Sequence, residues 1–409
     1  MTSASMTTLP APTVLGTLAW AWILATATDL ATAKTYTLHT TSAGDSFFDT
    51  WNFPGGWNST TNTPTYDVTN SGDNWLANQT FAQQDGIVSI NDAKHVILRV
   101  DNKNEVLYND KRYSFRIESN EIYGAGSLFV FDALHIPYGC SVWPAYWTTG
   151  ENWPEGGEID ILENVNQAKT NQMALHTHGG QGCKVEQSDQ ITGTVAIQDC
   201  GDSLNGNTGC IIVDSNANSF SGFNSNQGGM WVTEFALEAI SIWFFSRANI
   251  PDALKTDAAS QTVDTATFGT PTAKYPSTSC DIANLFKKQK IIINTTLCGV
   301  FAGAVFNDTC TAKRENSCYL DWVIGPANAY DEAYFEIVSH RVFTDGSDTS
   351  APDPNPTASP TTSGGGNGVT TMGPNGLPTV ITLGGGSSAS RVTVSLLLVL
   401  AAFVFTLIV

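Results

Sequence analysis

The segment GGEIDILEN, residues 156–164, is the most informative stretch of this chain. Side chains of a β-strand alternate between faces, so Glu158 and Asp160 share one face, about 6–7 Å apart. Strict alternation would send Glu163 to the opposite face, because it lies five residues after Glu158. A β-bulge at residues 161–162 would absorb the extra residue. The pattern therefore predicts three carboxylates on one surface, with Ile161 in the core and Leu162 in the bulge.

Three neighbouring acids suit one kind of chemistry. A retaining glycosidase needs two carboxyls about 5–5.5 Å apart, one ionised as the nucleophile and one protonated as the acid/base. A third carboxyl between them can hydrogen-bond the nucleophile and raise the pKa of the acid. A solvated acidic strand or a calcium site stays open as an alternative, although calcium sites normally use loop carbonyls and Asn/Asp-rich turns. We favour the catalytic hypothesis.

Tryptophans near the acidic strand fit either a sugar-binding surface or a buried core. Trp143, Trp147 and Trp153 precede the acidic strand within eleven residues. Flat rings stack on the faces of sugars, although any one Trp is as often part of a core. In the sequence LHTHGG, His176 continues a strand, so we favour it over His178 as a hydrogen-bond partner of an acid or of a sugar hydroxyl.

The charge balance excludes one class of partner. With 19 basic and 38 acidic residues the net charge is −19, which would repel nucleic acid. A neutral polysaccharide fits this charge. The eight cysteines include no C-x-x-C pair, and no His-rich cluster has zinc spacing, so we expect neither a metal nor another cofactor. We expect a monomer.

Both ends of the chain have the pattern of targeting signals. Residues 14–25 (VLGTLAWAWILA) are apolar, and Ala31-Thr32-Ala33 forms a cleavage site, which predicts a signal peptide over residues 1–33. A cut after Ala27 is an alternative. Residues 392–409 are apolar up to the terminus and follow a polar spacer with small residues at 384–388, the layout of a GPI-anchor signal. A single transmembrane helix is the alternative interpretation of this tail.

Between these signals we expect two regions. Residues 34–345 form the globular catalytic domain, and residues 346–391, rich in Gly, Ser, Thr and Pro, form a stalk with the anchor attachment region. The even number of cysteines predicts disulfides, as in other secreted proteins. The sequence leaves open which cysteines pair. Four sequons provide glycosylation sites in a secretory pathway, at Asn58, Asn78, Asn294 and Asn307.

Short strand-like runs recur along residues 34–345, at 95–101, 126–133, 157–163, 231–245, 290–295 and 333–343. The last run alternates imperfectly and suggests an edge strand. Only residues 281–288 have a helical pattern, with Asp281 as the N-cap. Many strands and almost no helix predict a β-sandwich with long loops, while a barrel stays open.

The run CSVWPAYWTTGENWPEGGEIDILENVN, with ALHTHGGQGC and SIWFFSR, resembles fungal members of glycoside hydrolase family 16, the endo-1,3(4)-β-glucanases of the laminarinase type. The similarity spans about residues 45–343, although the N-terminal part matches less well. Family members without the bulge resemble E-x-D-x-E, so the extra residue here favours the laminarinase side. The resemblance implies an all-β, concanavalin-like jelly-roll sandwich with a concave substrate cleft.

The resemblance also implies roles for individual residues. Glu158 would be the nucleophile, Asp160 its helper and Glu163 the acid/base. The residues implied to line the cleft are Trp143, Trp147, Trp153 and His176, with Trp243 from the SIWFFSR run. The expected function is a secreted, retaining endo-β-glucanase acting on β-1,3 or mixed β-1,3/1,4 glucan. The alternatives are a GPI-anchored transglycosylase of cell-wall glucan and a non-catalytic β-glucan-binding protein, although loss of either Glu would have signalled the latter.

Overall fold

The computed structural model describes residues 34–202, 207–255, 262–347 and 351–353, together with two strands farther along the chain. The chain divides into two compact units, Met1–Pro360 and Thr361–Val409. The predicted signal peptide and apolar tail, and most of the predicted stalk, lie outside the described residues. Among the residues described, no helix is both long and apolar enough to cross a membrane.

The first unit consists mainly of short strands. In chain order these are β1 (Thr35–Ala43), β2 (Trp51–Asn52), β3 (Trp57–Asn58), β4 (Thr63–Pro64), β5 (Asn74–Leu76), β6 (Val88–Ile90), β7 (Val96–Arg99), β8 (Arg112–Ser114), β9 (Arg116–Tyr123), β10 (Ser127–His135), β11 (Val142–Thr149), β12 (Glu158–Glu163), β13 (Gln172–His176), β14 (Thr194–Ile197), β15 (Cys210–Val213), β16 (Gly229–Phe235), β17 (Ala239–Ser246), β18 (Thr262–Asp264), β19 (Ala273–Pro276), β20 (Gln289–Leu297), β21 (Tyr334–Thr344) and β22 (Ala351–Pro352). In the second unit, β23 (Gly368–Met372) and β24 (Pro378–Thr382) form an antiparallel pair.

Helices are few and short in the described part of the first unit. The α-helices are α1 (Gln79–Asp85), α2 (Ile282–Leu285) and α3 (Phe306–Thr309). Single π turns occupy Gly299–Gly303 and Tyr319–Val323. Short 3-10 helices occupy Gly44–Thr50, Ala217–Ser219, Asn224–Asn226, Arg247–Asn249, Asp252–Leu254, Thr265–Phe268 and Ala327–Tyr330.

Two antiparallel sheets build the first unit. The front sheet has the order β14-β15-β13-β12-β11-β20-β9-β2, and β22 also pairs with β9. The back sheet has the order β18-β1-β21-β10-β16-β17-β19, and β7 and β6 extend it from β21. The predicted all-β jelly-roll sandwich is therefore confirmed.

The main core lies between the two sheets. Phe131 of the back sheet stacks on Tyr146 of the front sheet with ring centroids 4.4 Å apart. The hydroxyl of Tyr146 lies 3.0 Å from Nε2 of His340, which belongs to β21. Burial lowers the pKa of His340 to about 3, so this imidazole is a neutral core residue at physiological pH. Aromatic contacts across the sandwich thus fix which face of β11 points inward.

Several predicted elements need adjustment. The predicted helix begins as expected, since the Asp281 side chain accepts a hydrogen bond from the Asn284 amide, but α2 ends at Leu285. The run 231–245 is two strands, β16 and β17, because the chain turns between Phe235 and Ala239. The prediction that residues 333–343 form an edge strand is wrong. Strand β21 lies between β1 and β10, and long-range pairing on both sides outweighs its imperfect alternation.

All eight cysteines form disulfides, as predicted. The pairs are Cys140–Cys310, Cys183–Cys280, Cys200–Cys210 and Cys298–Cys318. The longest closed loop joins residues 170 positions apart and ties the start of β11 to the end of α3. Loop closure of this length restricts the unfolded chain and stabilises the fold.

The four sequons differ in accessibility. The side chains of Asn58, Asn78 and Asn307 are exposed. Asn294 is 4% exposed on β20, and its amide is hydrogen-bonded to Trp147 and to Thr296. A glycan at Asn294 is incompatible with this packing, so the fold leaves three usable sequons.

Candidate active site

The register of strand β12 places the three acids. Its neighbour β11 pairs with β20 over Val142–Thr149 without interruption, so alternate residues of β11 share one face. Those residues oppose the acids: Ala145 opposes Glu163, Trp147 opposes Asp160, and Thr149 opposes Glu158. The predicted convergence of the three carboxylates on one face of the strand is confirmed. We call this side of the front sheet the acid face.

A bulge at the predicted position makes this possible. Pairing with β11 passes from Asp160 directly to Leu162, and pairing with β13 skips both intervening residues. The detail of the prediction is wrong: Ile161, not Leu162, is the extra residue. Leu162 keeps its place opposite Tyr146, a central residue of the core, and Ile161 is fully buried as well. Both apolar side chains therefore anchor the bulge from within the core.

The Asn171 side chain braces the bulge. Its Oδ1 accepts a hydrogen bond from the Glu163 amide at 2.9 Å, and its Nδ2 donates to the Ile161 carbonyl at 2.8 Å. A bulge interrupts the ladder and leaves such backbone groups without strand partners. Asn171 is buried and replaces those partners. Sequence reasoning missed it, because an Asn in a turn eight residues downstream has no pattern that reports this contact.

A glycine fixes the start of the acidic strand. Gly157 has φ +73°, a left-handed conformation that other residues adopt only with strain. A Cβ at this position would lie 2.5 Å from Cδ1 of Phe286 and 2.8 Å from the Leu285 carbonyl oxygen. The close approach of the α2 end to the turn before Glu158 therefore requires glycine.

Polar contacts orient the acids. Glu163 Oε1 accepts a hydrogen bond from Trp143 Nε1 at 2.7 Å. His176 Nε2 lies 3.1 Å from Asp160 Oδ2 and 4.0 Å from Glu158 Oε1. The preference for His176 over His178 fits this geometry, because His178 is half exposed and lies 3.9 Å from Glu155, outside the acid cluster.

The structure places Trp147 and Trp153 near the acidic strand and Trp243 away from it. Trp147 stands on the acid face, and its Nε1 donates to Asn294 Oδ1 at 2.8 Å. Trp153 is half buried in the loop that joins β11 to β12. Trp243 is not brought to the acids. It belongs to β17 of the back sheet, packs on Phe268 at 5.6 Å and donates to the Gly269 carbonyl.

Comparison with known proteins identifies the fold family. The family model described as the XgeA-like, catalytic GH16 domain matches residues 61–343. The chain belongs to glycoside hydrolase family 16. A probable endo-1,3(4)-beta-glucanase of Aspergillus fumigatus is 39% identical over 327 residues, covering 78% of this chain and 47% of that protein. A probable glycosidase of Schizosaccharomyces pombe is 38% identical, covering 76% of this chain and 70% of that protein. The chain thus spans about half the length of the Aspergillus relative.

Two solved GH16 structures are similar to this chain over 76% of its length. Laminarinase 16A from Phanerochaete chrysosporium, with β-glucans (6-O-glucosyl-laminaritriose) in donor and acceptor sites, is 34% identical with a TM-score of 0.67. An elongating GH family 16 beta-1,3-glucosyltransferase is 32% identical with a TM-score of 0.67. This chain covers the full length of each of the two.

The acid face of this GH16 domain contains functional groups that sequence reasoning did not single out. The Arg116 guanidinium lies 5.3 Å from the ring centroid of Trp147, and its Nε donates to Glu118 at 2.8 Å. Although burial alone would lower the pKa of Arg116, the carboxylates of Glu118 and Asp67 raise it. Gln172, opposite Glu163 on β13, hydrogen-bonds that acid. These residues are scattered in sequence, and only the pairing of strands brings them together.

Burial controls the protonation of the three acids. It raises the pKa of Glu158 and of Asp160 well above the ordinary carboxyl range, and it raises the pKa of Glu163 as well. The hydrogen bond from Trp143 and the charge of His176 act on Glu163 in the opposite direction. Because the three groups interact, they titrate together. The cluster therefore holds at least one proton at a pH where an isolated carboxyl has lost its own.

The same cluster is the one group among the described residues with the geometry to hold a cation. Ligand atoms of Glu158, Asp160 and His176 all lie within 4.8 Å of one another. The expectation that the site works without a metal stays a prediction.

The raised pKa values determine how stability responds to pH. A carboxyl whose folded pKa exceeds its unfolded pKa stabilises the fold fully below the unfolded pKa, and that contribution is lost as pH rises through the folded pKa. At a pH above the folded pKa, the ionised and buried Glu158 carboxylate therefore destabilises the fold, and Glu158→Gln removes that destabilisation. We expect it to stabilise the protein by roughly 0.5–2 kcal/mol at pH 8, and to lose that advantage near pH 4.

Thermal or denaturant unfolding at both pH values measures this difference. Glu155→Gln is a matched control on an exposed loop and should show no pH-dependent gain. An equal effect of Glu158→Gln at both pH values would contradict the account of the buried cluster.

Proposed function

We propose that this chain is a retaining endo-β-glucanase that hydrolyses β-1,3 or mixed β-1,3/1,4 glucan. The supporting observation is the bulge at Ile161, which puts Glu158 and Glu163 on one face of β12 with Asp160 between them. Family membership and the names of the relatives agree with this chemistry.

The proposed reaction has two steps. Glu158 attacks the anomeric carbon while Glu163 donates a proton to the leaving glycosidic oxygen, which forms a covalent glycosyl-enzyme. Glu163, now ionised, then takes a proton from water as that water attacks the anomeric carbon and releases Glu158. Because the three acids titrate together, the proposal requires that the proton of the cluster reside on Glu163 and leave Glu158 ionised when the first step begins.

The neighbours of the acids have supporting roles in this proposal. Asp160 hydrogen-bonds Glu158 and holds it in place for attack. His176, 3.1 Å from Asp160, orients that carboxyl in turn. The Trp143 indole fixes Glu163 through its 2.7 Å hydrogen bond. Trp147 presents an aromatic surface on the same face for a glucosyl ring.

The substrate class follows from charge and surface chemistry. A net charge of −19 disfavours polyanionic substrates, and aromatic rings beside buried acids suit neutral sugars. The relatives are named as endo-1,3(4)-β-glucanases, and the Phanerochaete structure contains a laminaritriose-based glucan. We propose that a single protomer binds the polysaccharide along the acid face.

Substitution of the two glutamates tests the assignment. Glu158→Ser should lower hydrolysis of laminarin by several orders of magnitude while the fold stays intact, because no nucleophile remains. With an activated aryl glycoside, azide should restore turnover to Glu163→Ala, since a good leaving group needs no acid and the small anion replaces the activated water. Near-wild-type activity of Glu158→Ser, or no azide rescue in a folded Glu163→Ala, would contradict the proposed roles.

A transglycosylase is the second candidate, supported by the similarity to the elongating glucosyltransferase. In that reaction a second sugar chain replaces water in attacking the glycosyl-enzyme, and the same residues serve. A labelled acceptor oligosaccharide distinguishes the two, because transfer lengthens it whereas hydrolysis only shortens the donor.

We also propose that the protein is secreted and held at the cell surface or cell wall by a GPI anchor. Four disulfides fit an extracellular protein. Residues 392–409 are apolar and lie a short polar spacer after the small residues at 384–388, the layout of a GPI-anchor signal. Phospholipase C should release the protein from membranes, and a peptide from residues 392–409 in the mature protein would contradict the anchor.

A further inference from the structure

The chain returns to the front sheet after its last long strand. Strand β22 pairs with β9 through Ala351 and Pro352, and the Asp353 amide donates to the Asn120 carbonyl at 2.9 Å. This segment lies beyond residue 343, where the match to the GH16 family model ends. It also lies beyond residue 345, the predicted end of the catalytic domain.

Asp353 closes a continuous chain of ion pairs. The links are Asp353 to Lys290 at 2.6 Å, Lys290 to Glu118 at 3.2 Å, Glu118 to Arg116 at 2.8 Å and Arg116 to Asp67 at 3.2 Å. None of the five side chains is more than 13% exposed. Solvent and salt screen such buried charges poorly, so each group depends on its ion-pair partners to compensate its charge.

This ion chain lies on the acid face. Lys290 pairs across the strands with Thr149, which pairs with Glu158. Residues directly opposite in a sheet share a face, so Lys290 and Glu158 belong to one cross-strand row. A second row runs from Arg116 through Asn294 and Ala145 to Glu163. Both cations of the ion chain therefore stand in line with the proposed catalytic residues.

Arg116 retains a donor for a ligand. Its Nη2 is buried and has no hydrogen-bond partner among the described residues, while Nε and Nη1 are held by Glu118 and Asp67. Buried donors in native proteins are nearly always satisfied. The guanidinium also lies over the Trp147 ring, the surface proposed to stack on a glucosyl unit. A sugar hydroxyl beside that ring is the acceptor that fits.

We propose that Asp353 is a positioning residue for glucan binding, which acts through Lys290 and Glu118 to hold Arg116 in place for a sugar hydroxyl. This inference rests on the proposed function of the acid face. Glu118 bridges Lys290 and Arg116 with its two oxygens. When Asp353 loses its charge, Lys290 has Glu118 as its remaining ion-pair partner among the described residues and draws that carboxylate away from Arg116. The C-terminal segment thereby becomes part of the substrate site.

The position of Arg116 makes the effect depend on substrate length. The Arg116 backbone is three strand spacings from β12, about 14 Å, but its guanidinium lies over the Trp147 ring on β11, the neighbour of β12. A substrate therefore meets Arg116 when one of its glucosyl units reaches the Trp147 ring. Short substrates that end before Arg116 should not sense Asp353, whereas long ones should.

Asp353→Asn in the full chain tests the proposal with laminari-oligosaccharides of increasing length. For long oligosaccharides we expect KM to rise about five- to tenfold, the effect of losing one oriented hydrogen bond, while kcat changes less than twofold. Short aryl glycosides should show no change. The matched control is Asp345→Asn, the same substitution in the same segment, at a carboxylate that accepts from the Ser347 amide instead.

Two further arms separate the outcomes. The double variant Lys290→Met, Asp353→Asn should raise KM no more than whichever single substitution raises it more, because both act through Glu118 on Arg116. Binding of the same oligosaccharides to Glu158→Gln, with and without Asp353→Asn, measures affinity without turnover. Asp353→Asn should weaken this binding by the same factor by which it raises KM. An unchanged affinity, a change equal at all lengths, or additive effects would overturn the role of Asp353. A wild-type protein that binds glucan without cleaving it would instead contradict the proposed function.

Discussion

The site depends on one irregularity in one strand. Without the bulge at Ile161, Glu163 would point into the sandwich, where its charge would face Tyr146 and the aromatic core. Two apolar side chains hold the bulge from the core side, and the Asn171 amide satisfies the backbone groups that it leaves unpaired. Asn171 and the core thus fix a geometry that a regular strand excludes.

The same arrangement stores an electrostatic conflict. Burial raises the pKa values of all three carboxyls, and neighbouring acids raise those of Glu158 and Asp160 further, so the fold is less stable than a neutral site of the same shape would be. Such a conflict is common where a site must hold a proton for chemistry. The surrounding structure compensates, because hydrogen bonds from Trp143 and Gln172 support Glu163, and four disulfides restrict the unfolded chain.

Local sequence predicted what local physics determines. Alternation around Glu158 required a bulge, and the paired acids indicated the chemistry before any strand partner was known. Sequence could not assign Ile161 rather than Leu162 as the extra residue, because the pairing of Leu162 with Tyr146 on the neighbouring strand decides which residue is extra. Trp243 was misplaced for a related reason, since a strand pattern does not reveal which of two sheets a strand joins. Arg116 and Asp353 were invisible because long-range pairing alone brings them to the acid face.

The stereochemistry of the first product tests the central claim most directly. Proton NMR during early hydrolysis of a laminari-oligosaccharide resolves the anomer released before mutarotation. A bulge that brings Glu158 and Glu163 together for double displacement predicts that the β-anomer appears first. An inverting enzyme instead separates its carboxyls by about 6.5–9.5 Å to admit water. Initial release of the α-anomer would contradict the account.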